Sequence, residues 1–215
     1  MRFQLLIDAI YLNIGGGLEL LKYFLHNISG SKLRIYLLLD KRVINEDLYI
    51  DPSMKIKYVS NSFYQRHIFY LKNKNSFEKV FCLANIPPTV KINAKVFTYF
   101  HQYYYLFLPE HLSNFMKFEW KFKSMIFRVF LPNSDKILVQ TDHMKNELIK
   151  KYNIDKNILK CVPFYDLSNF VSKNIKKIKN KFLYVSHAFP HKNHFNLIEA
   201  FDDAYQTLRK GELHL

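Results

Sequence analysis

Apolar positions along the chain follow two alternating rhythms. Short, nearly continuous apolar runs predict strands over Phe3–Leu12, Leu33–Asp40, Met54–Ser60, Lys79–Ala84, Lys95–His101, Lys136–Thr141 and Ile158–Phe164. Spacings of three and four predict helices between several of them, over Leu18–His26, Phe63–Leu71, about Glu110 to Phe130, and Asp142–Tyr152. Strand–helix alternation of this kind predicts an α/β domain with a mostly parallel, doubly wound sheet. Ligands of such sheets bind outside the carboxyl ends of the strands. The rhythm lapses between Tyr165 and Lys181, a polar, basic stretch that reads as a linker. A new strand is predicted at Phe182–Ser186, a helix at His194–Leu208 and a strand stub from Glu212. The expected plan is one whole α/β domain over 1–164, a linker over 165–181, and the opening of a second domain over 182–215. A strand, a helix and a stub cannot bury a core of their own.

Composition narrows the classes. At 215 residues, 49% hydrophobic and 23% charged, the chain is neither disordered, collagen-like nor a coiled coil. Aromatic residues make up 17%, more than a core of this size needs, so some are expected at the surface. The net charge of +14 favours polyanionic partners: nucleic acid, anionic headgroups or phosphate-bearing substrates. Cys82 and Cys161 lie in apolar strand-like runs and read as buried thiols in a reducing compartment, with no C-x-x-C spacing for redox or zinc chemistry. Asp8 interrupts an otherwise signal-like amino terminus, and no apolar run approaches the ~18 residues of a membrane span. A cytoplasmic location is expected.

Four segments carry candidate chemistry. Gly15, Gly16 and Gly17 lie between a strand and an amphipathic helix, where bare backbone N–H groups can approach an anion; a tight turn explains them equally well. A dinucleotide fingerprint fails because Leu20 stands where its last glycine belongs, although Asp40 imitates the ribose-binding acid of that fold. His101 lies where a strand leaves the sheet, followed by Gln102, Tyr103, Tyr104 and Tyr105, a polar-aromatic wall suited to a sugar or base. In the third segment Phe115, Phe118, Phe122, Met125 and Val129 recur at helical spacing, with Lys117, Lys121 and Arg128 on another face. Packing on the sheet is the expected role of that apolar stripe, and an interfacial helix on anionic lipid the other. Fourth, Lys192 sits between a strand and a helix start, which makes an anion pocket. His187, His191 and His194 span a loop with Pro190 and lack a completing carboxylate or cysteine, so no metal is expected.

The stretch Tyr184-Val-Ser-His-Ala-Phe-Pro-His-Lys-Asn-His-Phe-Asn-Leu-Ile-Glu-Ala-Phe201 resembles the start of the carboxyl-terminal domain in retaining GT-B-fold glycosyltransferases of the "glycosyl transferases group 1" family. The Gly15–Gly17 loop, the strand end at His101 and Ile137-Leu-Val-Gln-Thr-Asp-His-Met-Lys145 look like that family's amino-terminal landmarks, in order. The resemblance implies two Rossmann-like domains with the active site between them, and sugar transfer from a nucleotide-diphosphate donor to an acceptor hydroxyl. It implies no cofactor and no metal, because basic side chains and helix amino ends neutralise the leaving diphosphate. By the same resemblance Lys192 and His187 bind the donor diphosphate, with His187 standing where many members carry Arg. His101 lies near the reacting sugar, Gly15–Gly17 line the cleft, and Gln102, Tyr103 and Thr141 belong to the acceptor side. The family's Glu-x7-Glu element does not follow Lys192 before Leu215, which implies an amino-terminal half, truncated or split from its carboxyl-terminal partner.

The leading expectation is a glycosyltransferase of surface polysaccharide or lipopolysaccharide synthesis. Its acceptor is a glycan or lipid-linked, and it works peripherally on the inner face of the cytoplasmic membrane. The alternative is a non-catalytic α/β module binding anionic lipid, glycan or nucleotide. No recognised motif supports nucleic acid as a partner.

Overall fold

The computed structural model describes residues 2–110, 112–165, 177–186 and 192–215. The chain divides into two compact units, Met1–Tyr165 and Asp166–Leu215.

The first unit is built on seven parallel strands: β1 Phe3–Ala9, β2 Ile35–Asp40, β3 Lys55–Val59, β4 Phe77–Cys82, β5 Lys95–Phe100, β6 Lys136–Val139 and β7 Leu159–Cys161. Their order across the sheet is β3-β2-β1-β4-β5-β6-β7. The chain runs outward from β1 to β3, then returns to the other side of β1 as β4. That reversal makes a switch point between β1 and β4, the place where open α/β sheets leave a crevice. The α/β, Rossmann-like architecture expected from the sequence is the one found.

Alternating side chains serve opposite faces, as the pleat demands. Ile7, Ala9, Leu37 and Leu39 pack with Leu18, Leu21 and Leu25 of helix α1, Gly15–Ile28. Leu6, Leu38 and Val80 pack with Phe69 and Tyr70 of helix α2, Phe63–Lys72. Beyond β5, Ile137 and Val139 meet Phe127 of α3, Asn114–Phe130, and Leu148 and Tyr152 of α4, Asp142–Tyr152. Burial on both faces is why these strands read as continuous apolar runs rather than as alternation. Side-chain caps set three helix starts: Ser62, Ser113 and Thr141 accept from the backbone N–H groups of Gln65, Met116 and Met144.

Three sequence expectations are corrected. Helix α1 begins at Gly15, not Leu18, so the glycines form its first turn. The last strand of the sheet is only Leu159–Cys161, and Cys161 is half-buried while Cys82 is buried. Helix α3 packs on the sheet through the side opposite to the expected stripe. Phe127 is fully buried, whereas Phe115, Phe118, Phe122, Met125 and Val129 are between 51% and 77% exposed. Aromatic contacts of Trp120 with Tyr104 and Tyr105, and of Phe127 with Phe100 and Tyr152, take the place expected of the stripe.

The second unit pairs β8, Lys181–Leu183, in parallel with β9, Glu212–His214, around α5, His194–Leu208. None of its described residues is buried, and Phe182, Leu183, Val185, Phe195 and Leu208 are exposed. Among the described residues, no helix is long and apolar enough to cross a membrane.

Candidate functional site

At the carboxyl end of β1 the chain enters α1 through Ile14, an extended residue that offers no side-chain cap, and no acidic residue occupies the first turn. The helix amino end therefore presents its N–H groups and partial positive charge unneutralised by its own residues. The three glycines differ in what the protein itself demands of them. Gly15 has φ +58, a left-handed conformation that favours glycine, and a Cβ on Gly17 would lie 3.1 Å from Leu12 Cδ2. Gly16 has neither constraint, and a Cβ there would meet nothing within 4 Å. Glycine at this position costs helix stability, and its bare backbone leaves room for an outside group to approach closely.

His101 follows β5, two strand spacings or ~10 Å from β1 along the same carboxyl edge. It continues the alternation of Tyr99, whose side chain belongs to the α1 face, and the two rings lie 5.8 Å apart. His101 thus projects on the same face of the sheet as α1. Burial drives its pKa down to about 4, so the imidazole is neutral at physiological pH. Its Nδ1 is buried and has no hydrogen-bond partner among the described residues. A neutral ring with a free nitrogen can exchange a hydrogen bond with a hydroxyl group.

Asn85 fixes this turn. Its Oδ1 accepts from the backbone N–H groups of both His101, at 2.7 Å, and Gln102, at 3.0 Å. Its own N–H donates to the Tyr99 carbonyl at 3.2 Å, and it adopts φ 66, a left-handed conformation that Asn tolerates better than most residues. Sequence reasoning missed Asn85 because a lone Asn after a strand has no periodic signal. Gln102 caps the 3-10 turn Tyr103–Tyr105, accepting from Tyr104 N–H. Tyr103 is exposed, with its hydroxyl 3.4 Å from His143 Nε2 at the start of α4. Thr141 sits at the adjoining strand end, where its hydroxyl caps α4. Gln102, Tyr103, Thr141 and His143 thus gather around the ends of β5 and β6.

Beneath the β1–β4 switch point lies a buried polar cluster that the sequence did not announce. Asp8 accepts from Arg66 Nε at 2.8 Å and from the Tyr70 hydroxyl at 2.5 Å. Arg66 also donates to the carbonyls of Ile86, at 2.8 Å, and Pro87, at 2.9 Å. Asp8, Arg66, Tyr70 and Cys82 are all essentially inaccessible. The cluster ties α2 to the loop that carries Asn85, and hence to the backbone of His101. Burial pushes the Cys82 thiol up to about 12, which leaves it unreactive. The single sequence signal was an aspartate inside an apolar strand.

The ribose-acid likeness of Asp40 is corrected. Asp40 is wholly inaccessible and accepts two hydrogen bonds from the Arg42 side chain, at 2.9 and 2.7 Å, and two more from the backbone of Arg42 and Tyr11. Burial acts to raise its pKa, but those hydrogen bonds outweigh it and hold the carboxyl below its ordinary value. Its acceptor sites are spent on shaping the β1–α1 and β2–β3 connections.

In the second unit, Lys192 is exposed just before α5, and its carbonyl accepts from the Tyr184 hydroxyl at 2.8 Å. Helix α5 starts after Asn193, which is left-handed at φ 57 and makes no side-chain cap. Here too a helix start is uncapped, and in this unit a lysine stands beside it. His187 and His191 lie outside the described residues.

No protein-family model matches the chain, and no curated protein does. Solved structures do match. Two variants of the wall teichoic acid polymerase TagF superpose with TM-scores of 0.51 and 0.52, each at 10% identity, over 98% of this chain and 55% and 56% of theirs. A further structure of the same polymerase gives a TM-score of 0.50 at 9% identity, over 86% of this chain and 48% of its own. The chain spans about half the length of these structures. At such identities the likeness establishes the fold, of the GT-B type.

Proposed function

We propose that the chain carries the acceptor side of a glycosyltransferase. This enzyme moves a sugar from a nucleoside-diphosphate donor to a hydroxyl of a glycan or lipid-linked acceptor, with retention at the anomeric carbon. One observation carries the reading: an uncapped glycine helix start and a neutral, half-buried His101, whose Nδ1 has no partner among the described residues, share one face and one carboxyl edge of the sheet. The sequence resemblance and the GT-B fold support it. In this reading His101 hydrogen-bonds a hydroxyl of the reacting sugar without bringing charge. Gly16 admits the substrate to the helix amino end, and Gln102, Tyr103 and Thr141 flank the acceptor. Lys192, with the start of α5, meets the donor diphosphate as a point charge. A role for His187 beside it rests on the resemblance alone. No metal or cofactor takes part, and the product is a cell-surface polysaccharide or lipopolysaccharide.

Nuclear magnetic resonance of the full chain tests the site directly. Nucleoside-diphosphate sugars and glycan acceptors should shift the amide signals of Gly16 and Gly17 and the imidazole signals of His101. Absence of any shift across a broad panel of both would remove the basis for the assignment. Where transfer is measured, His101→Ala should lower kcat by ~100-fold or more while leaving the fold intact.

A further inference from the structure

The exposed side of α3 has no role in that reading. Phe115, Phe118, Phe122, Met125 and Val129 fall on one face of the helix at spacings of three and four, and all point away from the sheet. So much aromatic and aliphatic surface on one helix exceeds scattered surface exposure. Lys121 and Arg128 border the same stripe along one edge, and neither is ion-paired among the described residues. The other cations of the helix are occupied: Lys123 pairs with Glu119 at 2.5 Å and lies over the Trp120 ring, and Lys117 donates to the Glu110 carbonyl. At its carboxyl end the helix touches Phe63 through Phe130, with ring centroids 5.8 Å apart. The next residue, Tyr64, lines a pocket of about 310 Å³ with Lys41, Lys57 and Lys72.

We propose that α3 is an in-plane membrane anchor that seats this unit on an anionic bilayer. Its apolar stripe enters the boundary between headgroups and acyl chains, while Lys121 and Arg128 lie at the level of the phosphates. Charge selects this occupant. A second copy of the chain would bring the same uncompensated cations against the stripe, in a protein already at +14, whereas an anionic leaflet supplies their complement.

Co-sedimentation of the full chain with phosphatidylcholine vesicles, with and without phosphatidylglycerol, tests the proposal. Binding should require the anionic lipid and weaken as salt rises. The exposed double substitution Phe118→Ser/Phe122→Ser should abolish it, and Lys121→Glu/Arg128→Glu should reduce it by roughly 10-fold or more. Circular dichroism and thermal melting should show unchanged folding in both. As a positional probe, Phe118→Trp should blue-shift its emission on binding. Failure of the parent chain to sediment with anionic vesicles would overturn the proposal, as would equal binding by the substituted proteins. So would a lipid-free dimer, seen by sedimentation velocity, that the Phe118→Ser/Phe122→Ser change dissolves.

Discussion

His101 and the Asp8–Arg66 pair show how single side chains set the properties of the site edge. The His101 pKa lies near 4, below the 6.5 of an ordinary histidine, because burial penalises the charged ring. The unfolded chain therefore binds more protons than the folded one between those values. His101 contributes stability that is fully present above about pH 6.5 and is lost as pH falls toward 4, at ~1.4 kcal/mol per unit of separation. Thermal melts from pH 7 to 4 should show His101→Gln flattening that decline; an unchanged slope would mean the ring is not the titrating group. The Asp8–Arg66 pair makes a separate prediction. Arg66→Met leaves a buried carboxylate with only the Tyr70 hydroxyl and the backbone N–H of Ile10, and should cost about 3–5 kcal/mol in urea unfolding. Adding Asp8→Leu should recover part of that loss. The recovery stays incomplete because the Ile86 and Pro87 carbonyls still lack their donor.

Among the elements, α1 and α3 separate what a helix does for its own fold from what it offers outward. In α1, Gly16 is free of both left-handed backbone and steric demand. Gly16→Ala should therefore stabilise the protein by about 0.5–1 kcal/mol, since Ala loses less freedom on entering a helix. If the glycine serves close approach of a substrate, the same change should weaken nucleotide-sugar or acceptor binding. A more stable protein with unimpaired binding in titration calorimetry would confine Gly16 to a neutral position. The Asn85 turn behaves differently, because its residue serves the fold directly. Asn85→Gly keeps the φ of 66 but loses both side-chain hydrogen bonds, for ~1–2 kcal/mol. Asn85→Ala should cost about a further 1 kcal/mol from left-handed strain, and chemical denaturation of the two variants checks the order. Helix α3 explains why periodicity alone misplaced its inner side. The segment holds two apolar sides, one of Phe and Met at regular spacing and one of Trp120 and Phe127, and the more regular one faces outward. Regular spacing reports that a face is apolar, not what it meets.

For the molecule as a whole, the fold was legible because its physics is local and repetitive. Parallel strands buried on both sides read as short apolar runs, and the helices between them read by their period. Hence β2, β5, α2, α4 and α5 were foreseen to within two residues at each end, whereas the first strand was expected to run three residues beyond Ala9. The candidate site was legible only where a residue type is itself unusual, as with the glycine triplet and His101, whose roles remain proposals. Contacts that join distant positions left no pattern: Arg66 reaches Asp8 across 58 positions, and Asn85 reaches His101 across 16. The same distinction bears on how the two units hold themselves together. Among the described residues, every buried cluster lies within the first unit, with Phe164 closing the α1 face against Tyr99, Tyr23 and Phe24. None of the described residues of the second unit is buried. Stability in water tracks buried apolar surface, so a fragment of residues 1–165 should keep the melting temperature of the full chain to within a few degrees. Differential scanning calorimetry of both measures this. A fragment that melts far below the parent, or without cooperativity, would show that the second unit supplies stability that its exposed surface does not account for.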